Sequence, residues 1–156
     1  MSRYYSLFLA AMSALIVMLA MPSMAQRPPQ AKGDPREAVA LDPAEAEALL
    51  TGMRTYLETI QGIVTALAEN QLARIADIAA QSGAKLMGNV SPLTGMKAPI
   101  GFTSLSLDTH DKFDRLAEKA KRGSSRAEIL TDLGALLGNC RSCHEAYRLS
   151  PYGGPR

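Results

Sequence analysis

Near its C-terminus the chain reads Cys140-Arg141-Ser142-Cys143-His144, two thiols and an imidazole in one short run. The order C-x-x-C-H is the attachment signature for c-type haem. Two thiols at this spacing can reach both vinyl groups of one haem and close two thioether bonds. The neighbouring imidazole then lies beneath the iron as its proximal ligand. On a helix, Cys140 and His144 fall one turn apart on the same side. Three other chemistries compete for these residues. A thioredoxin-type C-x-x-C opens a helix after a strand in a βαβ context, whereas this one sits deep in a terminal helix. A structural zinc needs four ligands, and the only other histidine is His110. A Cys140–Cys143 disulfide is sterically awkward inside a helix. Both cysteines of the chain fall within the motif, which favours one covalent haem c with its iron on His144.

Position adds a constraint. Only Glu145 to Arg156 follows His144, and that tail holds neither Met nor His. Any sixth iron ligand must therefore come from upstream. The plan in which a haem motif near the N-terminus is closed by a later Met is excluded.

The compartment is read from the other end of the chain. Met1–Tyr5 carries one positive charge, Arg3; an apolar run from Leu7 to Ala20 follows, then Pro22 and Ser23-Met24-Ala25. Charged head, short apolar centre and small-residue cleavage site describe a secretory signal peptide over residues 1–25. The run is shorter than the roughly 20 residues a spanning helix needs. A cleaved, exported chain without stable membrane insertion is expected. Losing Arg3 takes 17 basic residues to 16, against 15 acidic ones. So even a balance carries no nucleic-acid footprint.

The elements that must position the motif follow from apolar spacing. The chain has 156 residues, no Trp and 5% aromatics, which suits one domain built of helices. Residues 26–41 are polar and Pro-rich, a flexible leader. Asp42-Pro43-Ala44-Glu45 is a capping box with proline at the first helical position. Behind it Ala46, Leu49, Leu50, Met53, Leu57, Ile60, Val64 and Leu67 form one stripe. Asn70 caps a second helix with Leu72, Ile75, Ile78 and Ala79, ending near Ser82-Gly83. Gly88 to Gly101 is a long connection. A third helix occupies much of Phe102 to Arg122, with Leu105, Phe113, Leu116 and Ala120 inward and Gly123 at its end. His110 is placed on that helix's polar face with Asp108, Asp111 and Asp114. Ser125 and Glu128 make a second capping box, followed by Ile129, Leu130, Leu133, Leu136, Leu137, Cys140 and Tyr147. No alternating strand pattern is visible. The expected fold is all-α, a four-helix bundle over residues 42–156.

With four predicted helices and Cys140-x-x-Cys143-His144-Glu145-Ala146-Tyr147-Arg148 near the C-terminus, the chain resembles the class II c-type cytochromes, the cytochrome c′ family. The resemblance runs from about Asp42 to Leu149, and its specific part is the terminal motif. It implies a left-handed four-helix bundle with haem between the helices, a bacterial periplasmic location and commonly a homodimer. It makes Cys140 and Cys143 the haem anchors and His144 the proximal ligand, and it puts Arg148 near the proximal face. Arg148 equally suits a helix C-terminus.

The family divides by what covers the distal side of the iron: an apolar side chain beside an open site, or a Met from the first helix. Of eight methionines, Met1, Met12, Met18, Met21 and Met24 leave with the signal peptide, so Met53, Met87 and Met96 remain. Met53, on the inward stripe, is similar in position to the family's distal residue. Met87 and Met96 border a Gly/Pro-rich connection where rigid ligation is harder to impose. Met53 can also simply fill core space. One departure stands out: many members carry an Arg one turn before the distal residue, near the haem propionates, and here that place is Leu49. Gly52 and Gly62 could admit a partner helix in a dimer, make room for haem or merely be tolerated.

These features describe a periplasmic monohaem electron-transfer cytochrome with His144/Met53 ligation, serving redox partner proteins that its near-neutral charge does not identify. The alternative is a five-coordinate haem protein binding nitric oxide or carbon monoxide. An enzyme such as a haem peroxidase asks for a distal His or Arg over open iron, and with only His110 on offer the chain is read as a non-enzyme.

Overall fold

The computed structural model describes residues 33–89 and 92–150. The signal-peptide reading and residues 26–32 of the leader lie outside the described residues. Helix α1 spans Pro43–Ala68. Its start is the expected capping box: Asp42 Oδ1 accepts from the Glu45 amide at 2.9 Å, and Glu45 Oε2 accepts from the Asp42 amide at 3.0 Å. Its end differs from expectation. Asn70 adopts φ 58°, the Gln71 amide donates to Ala66 O at 2.7 Å and the Asn70 amide to Leu67 O at 3.3 Å. That is a Schellman ending with Asn at the left-handed position. Asn70 therefore closes the first helix rather than capping the second.

The expected second helix is shorter than its apolar pattern implied. A 3-10 turn, Leu72–Arg74, leads into the six-residue helix α2, Ile75–Ala80. A second 3-10 segment, Ala84–Asn89, and helix α3, Pro92–Lys97, occupy the predicted connection. Helix α4 runs Ile100–Lys121 and α5 runs Arg126–Ala146. Gly123, at φ 77°, ends α4 in a second Schellman turn, with Ser124 N–H on Lys119 O at 3.1 Å. Ser125 and Glu128 cap α5 reciprocally. The described residues are thus mostly helical, as an all-α reading requires.

One core joins the helices. Ile63 and Leu67 of α1, Ile75 and Ala79 of α2, Phe113 and Leu116 of α4, and Ile129, Leu133 and Leu136 of α5 are buried together. The predicted stripes need correction here. Leu57, Val64, Leu130 and Leu137 stand 68%, 50%, 49% and 43% exposed, while Tyr56 and Ile63 pack inward instead. At about 100° per residue, positions 49, 53, 56, 60, 63 and 67 share one line. Positions 50, 57 and 64 lie to one side of it. Gly62 serves contact within the chain: a Cβ there would sit 3.0 Å from Ile78 Cγ2, so it lets α1 and α2 approach.

Two strands were not expected. β1, Glu37–Ala40, and β2, Tyr147–Ser150, pair in parallel with Glu37 opposite Tyr147 and Ala40 opposite Ser150. Val39 is 0% exposed and Leu41 2%, so the end of the presumed flexible leader belongs to the fold. The compact unit begins at Pro35. Four residues with one inward side chain give no readable alternation. Among the described residues, no helix is long and apolar enough to cross a membrane.

Candidate cofactor site

Helix α5 continues to Ala146, so the whole C-x-x-C-H motif is helical. Cys140 and Cys143 are half-buried free thiols. Burial is the main cause pushing both thiols up from their ordinary pKa, which holds them protonated near neutrality. Cys140 packs at the edge of the core. His144 is exposed, and its carbonyl accepts from Arg36 Nη1 at 3.2 Å. Just ahead of the motif, Asn139 ties α5 to α4. Its Nδ2 donates to Asp108 Oδ2 at 2.7 Å and to Thr109 Oγ1 at 3.2 Å, and its Oδ1 accepts from Lys112 Nζ at 3.0 Å. Lys112 also pairs directly with Asp108. Hydrogen bonds from Lys112, then Asn139, hold the Asp108 carboxyl below its usual range. The register of the motif on its neighbour is thereby fixed.

Below the core, the first half of α1, the start of α4 and the last turn of α5 part around two cavities. The first, about 270 Å³, is lined by Met53 and Leu49 of α1, Phe102 of α4, Cys143 and His144 of α5, and residues of both strands. The second, about 330 Å³, shares Leu49 and Phe102 as walls and is lined also by Tyr56, Met87 and His110. Phe102 meets Tyr147 edge to face, centroids 5.6 Å apart at 88°, closing the first cavity toward β2.

The sequence-selected residues thus sort by place. Met53, Cys143 and His144 line one cavity, with Cys140 one turn back on the same helix. Met87 lines the second cavity, and Met96 is 81% exposed. Arg148, beyond the helix end in β2, lines the His144 cavity.

His110 requires correction. It is only 4% exposed, because positions 110, 113 and 117 share a helical line and the latter two are core. Its Nδ1 faces two carbonyls, Ser82 O at 2.8 Å and Gly83 O at 3.1 Å. It must therefore carry the proton, which leaves Nε2 to accept from the Tyr56 hydroxyl at 2.7 Å. Both ring nitrogens are engaged. Burial, followed by the charges of Cys140 and Cys143, pushes the Tyr56 phenol well above its ordinary pKa. Sequence reasoning passed over Tyr56; its signal was the helical spacing from Met53 and Ile60.

This pair yields a stability prediction. Tyr56→Phe leaves a buried imidazole acceptor unpaired, a loss of about 1–3 kcal/mol. Thermal denaturation should show a clearly lower midpoint, and an unchanged midpoint would contradict the assigned tautomer and bond.

No family model matches the chain, and neither a curated protein nor a solved structure matches it. Among the described residues, no group of three or more His, Cys, Asp and Glu side chains is arranged to hold a metal ion. The structural-zinc reading thus gains no donor set there. The donors gathered at the cavity are thiol, imidazole and thioether, which suit covalent haem and its iron.

Proposed function

We propose that the chain is an exported, periplasmic monohaem c-type cytochrome of the class II kind, a four-helix bundle that transfers single electrons and catalyses no reaction of its own. Cys140 and Cys143 hold the haem, His144 is the proximal ligand of its iron and Met53 the distal one. The observation that carries this reading is the meeting of Met53, from α1, with Cys143 and His144, from the far end of α5, on one cavity. These residues are about ninety positions apart, and the packing of α1, α4 and α5 brings them together.

The bound haem would supply a one-electron ferric/ferrous couple. The protein's own contributions follow from its side chains. Asn139 and the Asp108–Lys112 pair hold the end of α5 in register against α4. Tyr56, stacked on Phe113 at 5.6 Å and bonded to His110, fixes the face of α1 that carries Met53 one turn earlier. Leu49, Phe102 and Val39 give the cavity apolar walls. Met53 and His144 together would favour the ferrous state of a haem held there and raise its potential relative to an imidazole alone. Held by both side chains, the group would need little rearrangement when passing an electron to partner proteins. Optical spectra of the exported protein in both redox states test this reading. A low-spin ferric spectrum with the weak near-infrared band of sulfur ligation is expected, and a high-spin ferric spectrum would replace it with the five-coordinate gas-binding alternative.

A further inference from the structure

Leu49 stands where a propionate-binding Arg is expected, which leaves the cofactor's carboxylates without a counter-charge on α1. The other cation nearby on that helix, Arg54, is turned outward and engaged: its Nη2 lies 2.6 Å from Glu47 Oε1 and 2.8 Å from Thr51 Oγ1. Around the cavity of Met53 and His144, the charged lining residues apart from the histidine are two guanidinium groups, Arg36 and Arg148. Neither comes from the helices. Arg36 immediately precedes β1, and Arg148 lies in β2 opposite Ala38.

Arg36 is held there by more than one device. The β1–β2 ladder fixes its backbone relative to the end of α5. Val39, fully buried, lines the same cavity, and Leu41 is buried just beyond the strand. Its Nη1 donates to the His144 carbonyl at 3.2 Å. A guanidinium offers five N–H donors in a planar fork, so a bond to that carbonyl and a paired bond to a carboxylate are compatible on one side chain.

Resting on the haem reading above, we propose that Arg36 is the carboxylate-binding residue of this cavity, pairing a haem propionate and delivered by the β1–β2 ladder. The segment ahead of the first helix then takes the part that a helical Arg would otherwise play. A fixed positive charge beside the cofactor opposes the more positive ferric state, so it should also raise the reduction potential.

The test uses the matured holoprotein and its Arg36→Gln and Arg36→Lys variants, each first checked by intact mass for covalent haem. Two signals are read: the midpoint reduction potential and the propionate bending band in the resonance Raman spectrum. Arg36→Gln should lower the potential and shift the band. Arg36→Lys should restore most of the potential, because the charge remains, yet still shift the band, because the fork is lost. A merely structural link to the His144 carbonyl would lower thermal stability without moving the propionate band. Haem attached with an unshifted band in Arg36→Gln overturns the inference while leaving the haem reading intact. Should Arg36→Gln not accumulate as holoprotein, an unshifted band in Arg36→Lys overturns it equally. Wild-type protein without covalent haem would overturn the haem reading, and this inference with it.

Discussion

Met53→Ala should convert a low-spin ferric protein to high spin, lower its reduction potential and speed carbon monoxide binding to the reduced form. The thioether on α1 and the imidazole on α5 line one cavity. Under the proposed ligation, an incoming ligand would first have to displace the Met53 sulfur, and with alanine there it would meet an open site. Removing ~1.4 kcal/mol of competing ligation corresponds to about a tenfold change in rate or affinity, and an acceleration of that order is the expected result. Met53→Leu separates ligation from packing, since leucine keeps the apolar volume and loses the donor. Stopped-flow mixing with carbon monoxide and ferric optical spectra read both effects. A variant that keeps a sulfur-ligated low-spin spectrum would contradict the assignment to Met53. Met87, across the Leu49 and Phe102 walls, would then be the donor to examine.

Replacing Cys140 and Cys143 together by alanine should abolish covalent haem and leave a poorly folded chain. The two thiols are the only ones in the sequence, so no other side chain can form the thioethers. The loss would reach folding because a haem held by these thiols would cover apolar side chains such as Leu49, Met53 and Phe102 that line the cavities. Lower helicity by circular dichroism and a lower thermal midpoint than the holoprotein are expected. A double variant that still carries covalent haem would refute attachment at these residues.

Much of the helical frame could be read directly because its punctuation is local. Asp42-Pro43-Glu45 and Ser125 with Glu128 specify helix starts within four residues, and Gly123 needs only its own backbone freedom to end α4. The motif was equally legible, being contiguous. What escaped depends on distant partners. Glu37–Ala40 becomes a strand only because Tyr147–Ser150, more than a hundred residues later, lies beside it. His110 sits among aspartates in sequence, yet the carbonyls of Ser82 and Gly83 and the hydroxyl of Tyr56 await it inside. Leu57 and Val64 matched an apolar repeat, but the neighbours that α1 found lie along another line of its surface. Asn70 shows the limit of residue preference: its type suits either a cap or a left-handed turn, and the backbone of Ala66 and Leu67 selected the turn.

The most direct measurement is the intact mass of the exported, matured wild-type protein after acid–acetone extraction. Thioether bonds from Cys140 and Cys143 should keep the colour with the polypeptide and raise the mass above that of the chain beginning at Gln26 by one haem. Colour that passes into the acetone, or a mass equal to the bare polypeptide, would contradict covalent haem at this motif.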